Sequence, residues 1–236
     1  IGSLISAIVS SMSSEESIIT DSVLYIDLKE SIVDAPTSSL FGGMSLSSLE
    51  MDTPITLVNA LTAIEKASSD PEIKGICINI DGAGTVSVAN IEELREALLR
   101  FKESGKFIVA YDGTYSQSDY YLASVADEIV INPEGTLEWY GVGITNMFYK
   151  RLLDKLDISV EILCPASCKF KSAVEPFFLD KMSEAHRQQN EALVNSIWTN
   201  ICSDIAQSRN LSVETLKQYA AALAVSMPEQ ALECGM

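Results

Sequence analysis

The apolar positions of this chain switch repeatedly between two rhythms, and the switch points divide it into strand and helix candidates. Short β-branched runs at 23–28 (Val-Leu-Tyr-Ile-Asp-Leu), 73–80, 107–111, 128–131 and 158–163 have the length and composition of strands. Between them apolar residues recur at helical spacing. Leu57, Val58, Leu61 and Ile64 predict a helix capped by Thr53, with Pro54 at its first position and Asp70-Pro71 at its close. Ile91, Leu94, Ala97, Leu98 and Phe101 predict a second, stopped by Gly105. Residues 116–126 read as a short helix, and Met147, Phe148, Leu152, Leu153 and Leu156 predict another that begins at Thr145.

Further along, Ser183 caps a long helix whose expected buried stripe is Leu193, Ile197, Trp198, Ile201 and Ile205. Ser212 caps one over 213–223, and Pro228 opens a last short one. Asn132-Pro-Glu-Gly135 is a turn, and the Gly/Ser-rich stretch around Phe41-Gly-Gly-Met44 has no periodicity and reads as a mobile loop. Strand, helix, strand in alternation implies parallel strands joined by right-handed crossovers, so the fold class is α/β.

Composition narrows the function. An apolar fraction of 47% over 236 residues fills a substantial core. The balance of 33 acidic against 16 basic residues gives a net charge of −17, which repels phosphate backbones and argues against nucleic-acid binding. The five cysteines (Cys77, Cys164, Cys168, Cys202, Cys234) are scattered, and His186 is the sole histidine, so zinc-site and His-based triad readings are both poor. Cys77 lies in an apolar strand pattern and reads as a small core residue. The first dozen residues are apolar but short of the roughly 20 that span a bilayer. They read either as the tail of a membrane anchor or as an amphipathic arm, with a polar linker at 13–22 and one domain over 23–236. The start without methionine and the abrupt close at Cys234-Gly-Met236 suggest a fragment.

Three stretches could carry chemistry. Asp81-Gly-Ala-Gly84 follows a strand and precedes a helix, where backbone N–H groups can face an oxyanion; tight-turn geometry explains its glycines equally well. Tyr115-Ser-Gln-Ser-Asp-Tyr-Tyr-Leu-Ala-Ser124 offers hydroxyls at a helix start, where Ser116 and Ser118 are more simply caps and Tyr120, Tyr121 and Leu122 packing residues. Pro165-Ala-Ser-Cys-Lys-Phe-Lys-Ser-Ala-Val-Glu-Pro-Phe177 carries two lysines in a lysine-poor chain. A lysine desolvated beside Phe170, Ala173, Val174 and Phe177 would have a lowered pKa and could act as a general base; the plainer alternative is a pair of solvated surface cations.

These stretches together resemble the signal peptide peptidase A family, also called protease IV, from about Val23 to the last residue. The most specific pieces are the Tyr115–Ser124 segment, Gly141-Val-Gly143 and, above all, Phe170-Lys-Ser-Ala-Val-Glu-Pro-Phe177. The resemblance implies a crotonase/Clp-protease-like superhelix of strand-helix units with a parallel sheet and C-terminal helices. It also implies a serine–lysine dyad in which an unprotonated lysine takes the proton of a serine. The family's lysine falls on Lys171, and Lys169 reverts to a loop cation. The family's Ser-Gly-Gly-Tyr-Tyr, aligned on Tyr120 and Tyr121, puts Gln117 where the nucleophile belongs. Ser116 and Ser118 are each one residue out of register, a rotation of about 100° on a helix. The oxyanion turn Ser-Pro-Gly-Gly appears as Asp81-Gly-Ala-Gly84.

Lysine kept and serine absent looks like the N-terminal half of the long, tandem-domain form, whose C-terminal half would supply the serine. On that reading the substrates are cleaved signal peptides, no metal or cofactor is needed, and the assembly is a ring-shaped homo-oligomer. It is anchored in the inner membrane by a segment before Ile1, with its catalytic part on the periplasmic side. A catalytically silent scaffold for oligomerisation or peptide capture is the alternative. Acyl-CoA chemistry on the same fold is a weaker one, since nothing in the sequence suggests a nucleotide pocket.

Overall fold

The structure, a computed structural model, describes residues 21–29, 32–34, 55–82, 86–163 and 170–236. Most of the arm at 1–22 and the stretch around Phe41-Gly-Gly-Met44 lie outside the described residues, as do Thr53 and Pro54. The chain forms two compact units, Ile1–Gly135 and Thr136–Met236.

The first unit is built on a four-stranded parallel sheet in the order β1-β2-β3-β4, with β1 at Ser22–Asp27, β2 at Ile73–Asn79, β3 at Phe107–Asp112 and β4 at Glu128–Ile131. Each strand lies beside its successor in sequence, so every connection is a crossover carrying a helix. These are α1 (Leu57–Ser69), α2 (Val88–Lys102) and α3 (Gln117–Ala123). The expected strand-helix units with a parallel sheet are what the first unit forms.

Strand alternation sorts the sheet's side chains. Ile76, Ile78, Ile108 and Ala110 are completely enclosed, and α2 adds Ile91, Leu94, Ala97, Leu98 and Phe101, the stripe its spacing predicts. On the opposite face Val23, Tyr25 and Phe107 stand half-exposed. The Phe107 ring covers position 75, where a Cβ would come to 2.5 Å from it, so any larger residue there would displace the ring.

The start of α1 differs from expectation. Val33 and Thr56 form a parallel bridge, with Val33 N–H donating to Ile55 O and Leu57 N–H to Val33 O. That pairing keeps 55–56 extended, so the helix opens at Leu57, with Thr56 accepting the Asn59 N–H at 3.2 Å as its cap. The buried stripe is Ala60, Ile64 and Ala67, and Val58 is exposed.

The second unit is helical: α4 (Lys150–Lys155), α5 (Glu175–Phe178), α6 (Glu184–Arg209), α7 (Val213–Ala222) and α8 (Pro228–Glu233). The caps Ser183 and Ser212 and the helix-opening Pro228 fall where the sequence sets them. Trp139 pins the unit: it is buried, its Nε1–H donates to Leu216 O at 2.9 Å, and its ring meets Trp198 at 4.9 Å between centroids. Cys202, Ile205, Leu216 and Ala220 complete this core.

Three expectations fail in this unit. The helix expected from Thr145 occupies only 150–155, because the Tyr149 N–H is taken by Pro176 O at 2.7 Å rather than by a preceding turn. None of its residues is buried, and Met147, Leu152 and Leu156 are exposed. Residues 158–163 form no strand; Ile158, Val160 and Leu163 face solvent, and among the described residues the ladders run only between β1 and β4. A β-branched run becomes a strand only where a neighbour takes its backbone groups. On α6, Leu193 and Ile197 are exposed. The helix instead turns Arg187, Asn190, Glu191, Val194 and Asn195 towards Gly143, Ile144 and Met182, around a cavity of about 230 Å³.

Candidate active site

The carboxyl ends of β2 and β3 converge with the start of α3 in the first unit. Ile80 N–H donates to Tyr111 O at 2.8 Å, and the chain turns at Asp81-Gly82, where Gly82 takes a φ of +73°. Ala83 and Gly84 lie outside the described residues. Position 113 lies close to Asp81: a Cβ there would sit 2.8 Å from Asp81 Oδ1, so a larger residue would push that side chain aside. After buried Tyr115, whose hydroxyl donates to Val130 O at 3.2 Å, Ser116 caps α3. Its Oγ accepts the Asp119 N–H, and Asp119 Oδ2 accepts the Ser116 N–H, both at 3.2 Å, which is a capping box.

Gln117 is half-buried at the first helical position, Ser118 is exposed, and Tyr120, Tyr121 and Leu122 are packing residues, as expected. α3 is fastened from behind. Buried Arg95 donates through Nη1 to Tyr121 O and to Ser124 Oγ at 2.6 Å, and lies 4.7 Å from the centre of the Tyr121 ring.

This edge is acidic. Burial pushes the Asp112 carboxyl up to about 6, the Asp119 and Asp81 carboxylates add to the rise, and the Thr114 and Gly113 amides oppose it. An oxyanion needs the opposite environment, with converging donors or positive charge.

The second unit carries Lys171. Residues 164–169, which include Cys164, Cys168 and Lys169, lie outside the described residues. Lys171 itself is exposed, and Phe170 and Phe177 are 50% and 44% exposed, so these neighbours leave the amine in water. Immediately after it, Glu175 N–H donates to Ser172 O at 3.0 Å, closing a turn into α5. Tyr149 stacks on Phe177 at 6.0 Å.

A polar cluster beside Lys171 escaped the sequence reading. Glu175 and His186 are both buried, and the carboxylate takes bonds from Ser183 and from His186 Nδ1. Burial alone would raise the Glu175 pKa, but the Ser183 hydroxyl and amide and the His186 ring hold it below the ordinary value. The Ser183 proton goes to Glu175 Oε1, so serine and imidazole are not arranged as nucleophile and base. The signal was available: the only histidine falls three residues after a predicted N-cap. Among the described residues no group of His, Cys, Asp and Glu side chains could hold a metal ion. Cys202 is buried, and burial pushes its thiol up to about 11, which makes it inert; Cys77 and Cys234 are partly exposed.

The described chain thus combines a lysine-bearing turn on a helical unit with an acidic helix start, on a parallel α/β sheet, where Gln117 stands between Ser116 and Ser118. The sequence pattern described as "Peptidase family S49" matches residues 100–236. The chain belongs to this peptidase family, and its relatives are of the signal-peptide-peptidase kind. Protease 4 of Salmonella typhi is 32% identical over 209 residues, 85% of this chain and 33% of its own length. Protease 4 of Haemophilus influenzae is 32% identical over 72% of this chain and 28% of its own. A putative signal peptide peptidase SppA of Enterococcus faecium is 24% identical over 69% of this chain and 46% of its own. The chain thus spans about a third of the length of the two Protease 4 relatives.

Among solved structures, an enoyl-CoA hydratase from Mycobacterium avium subsp. paratuberculosis is similar at a TM-score of 0.28 and 17% identity, covering 71% of each chain. An enoyl-CoA hydratase/isomerase family protein from Silicibacter pomeroyi is similar at 0.27 and 14%, covering 71% of this chain and 84% of its own. No helix among the described residues is long and apolar enough to cross a membrane.

Proposed function

We propose that this chain contributes Lys171 as the general base of a serine–lysine peptidase, and that the nucleophilic serine and the oxyanion donors come from a second domain of the same protein. The observation that carries the reading is the start of α3. Gln117 occupies the nucleophile position, the Ser116 hydroxyl is engaged as a cap, and Asp81, Asp112 and Asp119 make the surroundings hostile to an oxyanion. In the reaction, the neutral Lys171 amine removes the proton of that serine as its oxygen attacks the scissile carbonyl, then returns it to the leaving amine. A neutral lysine at working pH needs enclosure. Lys171 is exposed here, so the second domain, with bound substrate, supplies the apolar lid.

The exposed apolar side chains of the same unit, Met147, Leu152, Leu156, Ile158 and Leu163, are consistent with burial by that domain or by further copies in a ring. Substrates are cleaved signal peptides and similar extended apolar segments, and the protein works anchored at the inner membrane, on its periplasmic side. The first dozen apolar residues support the membrane setting, and the name of a relative described as a putative signal peptide peptidase supports the substrate class.

The test is peptide hydrolysis by the isolated chain of 236 residues. It is expected to cleave little or nothing. Vigorous cleavage that Ser116→Ala or Ser118→Ala abolishes would return the nucleophile to this chain. The exposure of Lys171 favours a second reading, a scaffold for oligomerisation or peptide capture in which the lysine is idle. Lys171→Ala in the full-length protein separates the two: lost activity with normal assembly supports the base, and kept activity with altered assembly supports the scaffold.

A further inference from the structure

Glu175 lies four residues beyond Lys171 and gathers three donors. Ser183 Oγ–H donates to Oε1 at 2.6 Å, Ser183 N–H to Oε2 at 3.1 Å, and His186 Nδ1–H to Oε2 at 3.0 Å. An ionised carboxylate only accepts, which fixes the imidazole proton on Nδ1. Ser183 Oγ in turn accepts the His186 N–H at 3.1 Å. One carboxylate therefore ties α5 to the first turn of α6, and the Glu175 backbone N–H closes the turn that begins at Ser172, the residue after Lys171. From the other side, Tyr149 holds α5 through Pro176 O and the Phe177 ring.

Capping α6 needs only Ser183. A buried carboxylate and imidazole add little stability over apolar residues of the same size, whereas their directional bonds define where Glu175 sits against Ser183 and His186. We infer that Glu175, clamped by Ser183 and His186, is the positioning residue for Lys171: the clamp sets the turn over 172–175 and thereby the direction in which the amine is presented. This rests on the reading of Lys171 as the base. It is a geometric role, since the Glu175 carboxylate is buried and engaged by Ser183 and His186.

The experiment uses the full-length protein with Glu175→Gln, His186→Leu, His186→Asn and Lys171→Ala. It measures steady-state hydrolysis of a signal-peptide substrate, amide hydrogen exchange and thermal melting. The first two variants are expected to speed exchange over 172–178 and the first turn of α6. They should lower kcat by about 100-fold, the scale of a misplaced reacting group, with KM unchanged. His186→Asn places an amide N–H where Nδ1–H donates, and should restore most of both readouts. If Glu175→Gln fails to fold, the contrast between Leu and Asn at 186 carries the same test.

Unchanged exchange over 172–178 would overturn the clamp. Faster exchange with unchanged kcat, while Lys171→Ala abolishes turnover, would overturn the positioning role. Wild-type turnover by Lys171→Ala would instead overturn the base itself, a failure read in a different variant.

Discussion

In the unit built on the parallel sheet, the apolar positions that periodicity assigns to α2 and to the inner sheet face are buried, whereas from Thr136 onward many equivalent positions stand in solvent. Ile76 and Ile108 are enclosed completely; Leu152, Ile158 and Leu163 are 55%, 49% and 91% exposed. Both segments are apolar, and the difference lies in whether the described chain supplies a partner. A run of β-branched residues at 73–79 finds strands on either side, while a similar run at 158–163 finds none. Exposed apolar side chains gathered in one segment mark a surface that a partner can cover.

The sharpest way to break this contrast is truncation in both places. Ile76→Ala should destabilise the isolated chain by about 2–5 kcal/mol in denaturant unfolding, whereas Leu163→Ala should stay within about 0.5 kcal/mol. A large loss at Leu163 would mean that this segment is already packed in the isolated chain. In the full-length assembly the two effects should converge.

A smaller effect sharpens the electrostatic side. The Asp112 carboxyl, held at about 6 against an ordinary 3.8, binds its proton more tightly in the folded state, so its contribution to stability falls as pH rises from about 4 to about 6. Asp112→Asn, whose side-chain oxygen can still accept the Thr114 N–H, should stabilise the chain by about 1–3 kcal/mol at pH 7, and this gain should vanish below pH 4. A gain independent of pH would refute the electrostatic cause. Smallest is the cap: Ser116→Ala should cost about 1 kcal/mol of stability, and in the full-length protein should leave kcat alone. A collapse of kcat with intact stability would make Ser116 the nucleophile.

The same contrast explains what could be read from the sequence. The four strands at 22–27, 73–79, 107–112 and 128–131, the α2 stripe and the starts of the last three helices were legible because local pattern and tertiary partner agree there. The α1 start was not, because the Val33–Thr56 bridge is a contact across more than twenty residues that no local signal announces. The helix expected from Thr145 failed for the same kind of reason, a bond from Tyr149 to Pro176. Of the site, the Lys171 motif and the lack of a serine at Gln117 could be read directly. The enclosure of Lys171 by its own neighbours was expected and is not found, and the Glu175–Ser183–His186 clamp was missed because its members are split between the start of one short helix and the first turn of the next.

The most direct test of the account is turnover of a signal-peptide substrate by the full-length protein carrying Lys171→Ala, with assembly and melting measured in parallel. Loss of the general base should lower kcat by about 100- to 10,000-fold with assembly and melting unchanged. Turnover at the wild-type rate would contradict it.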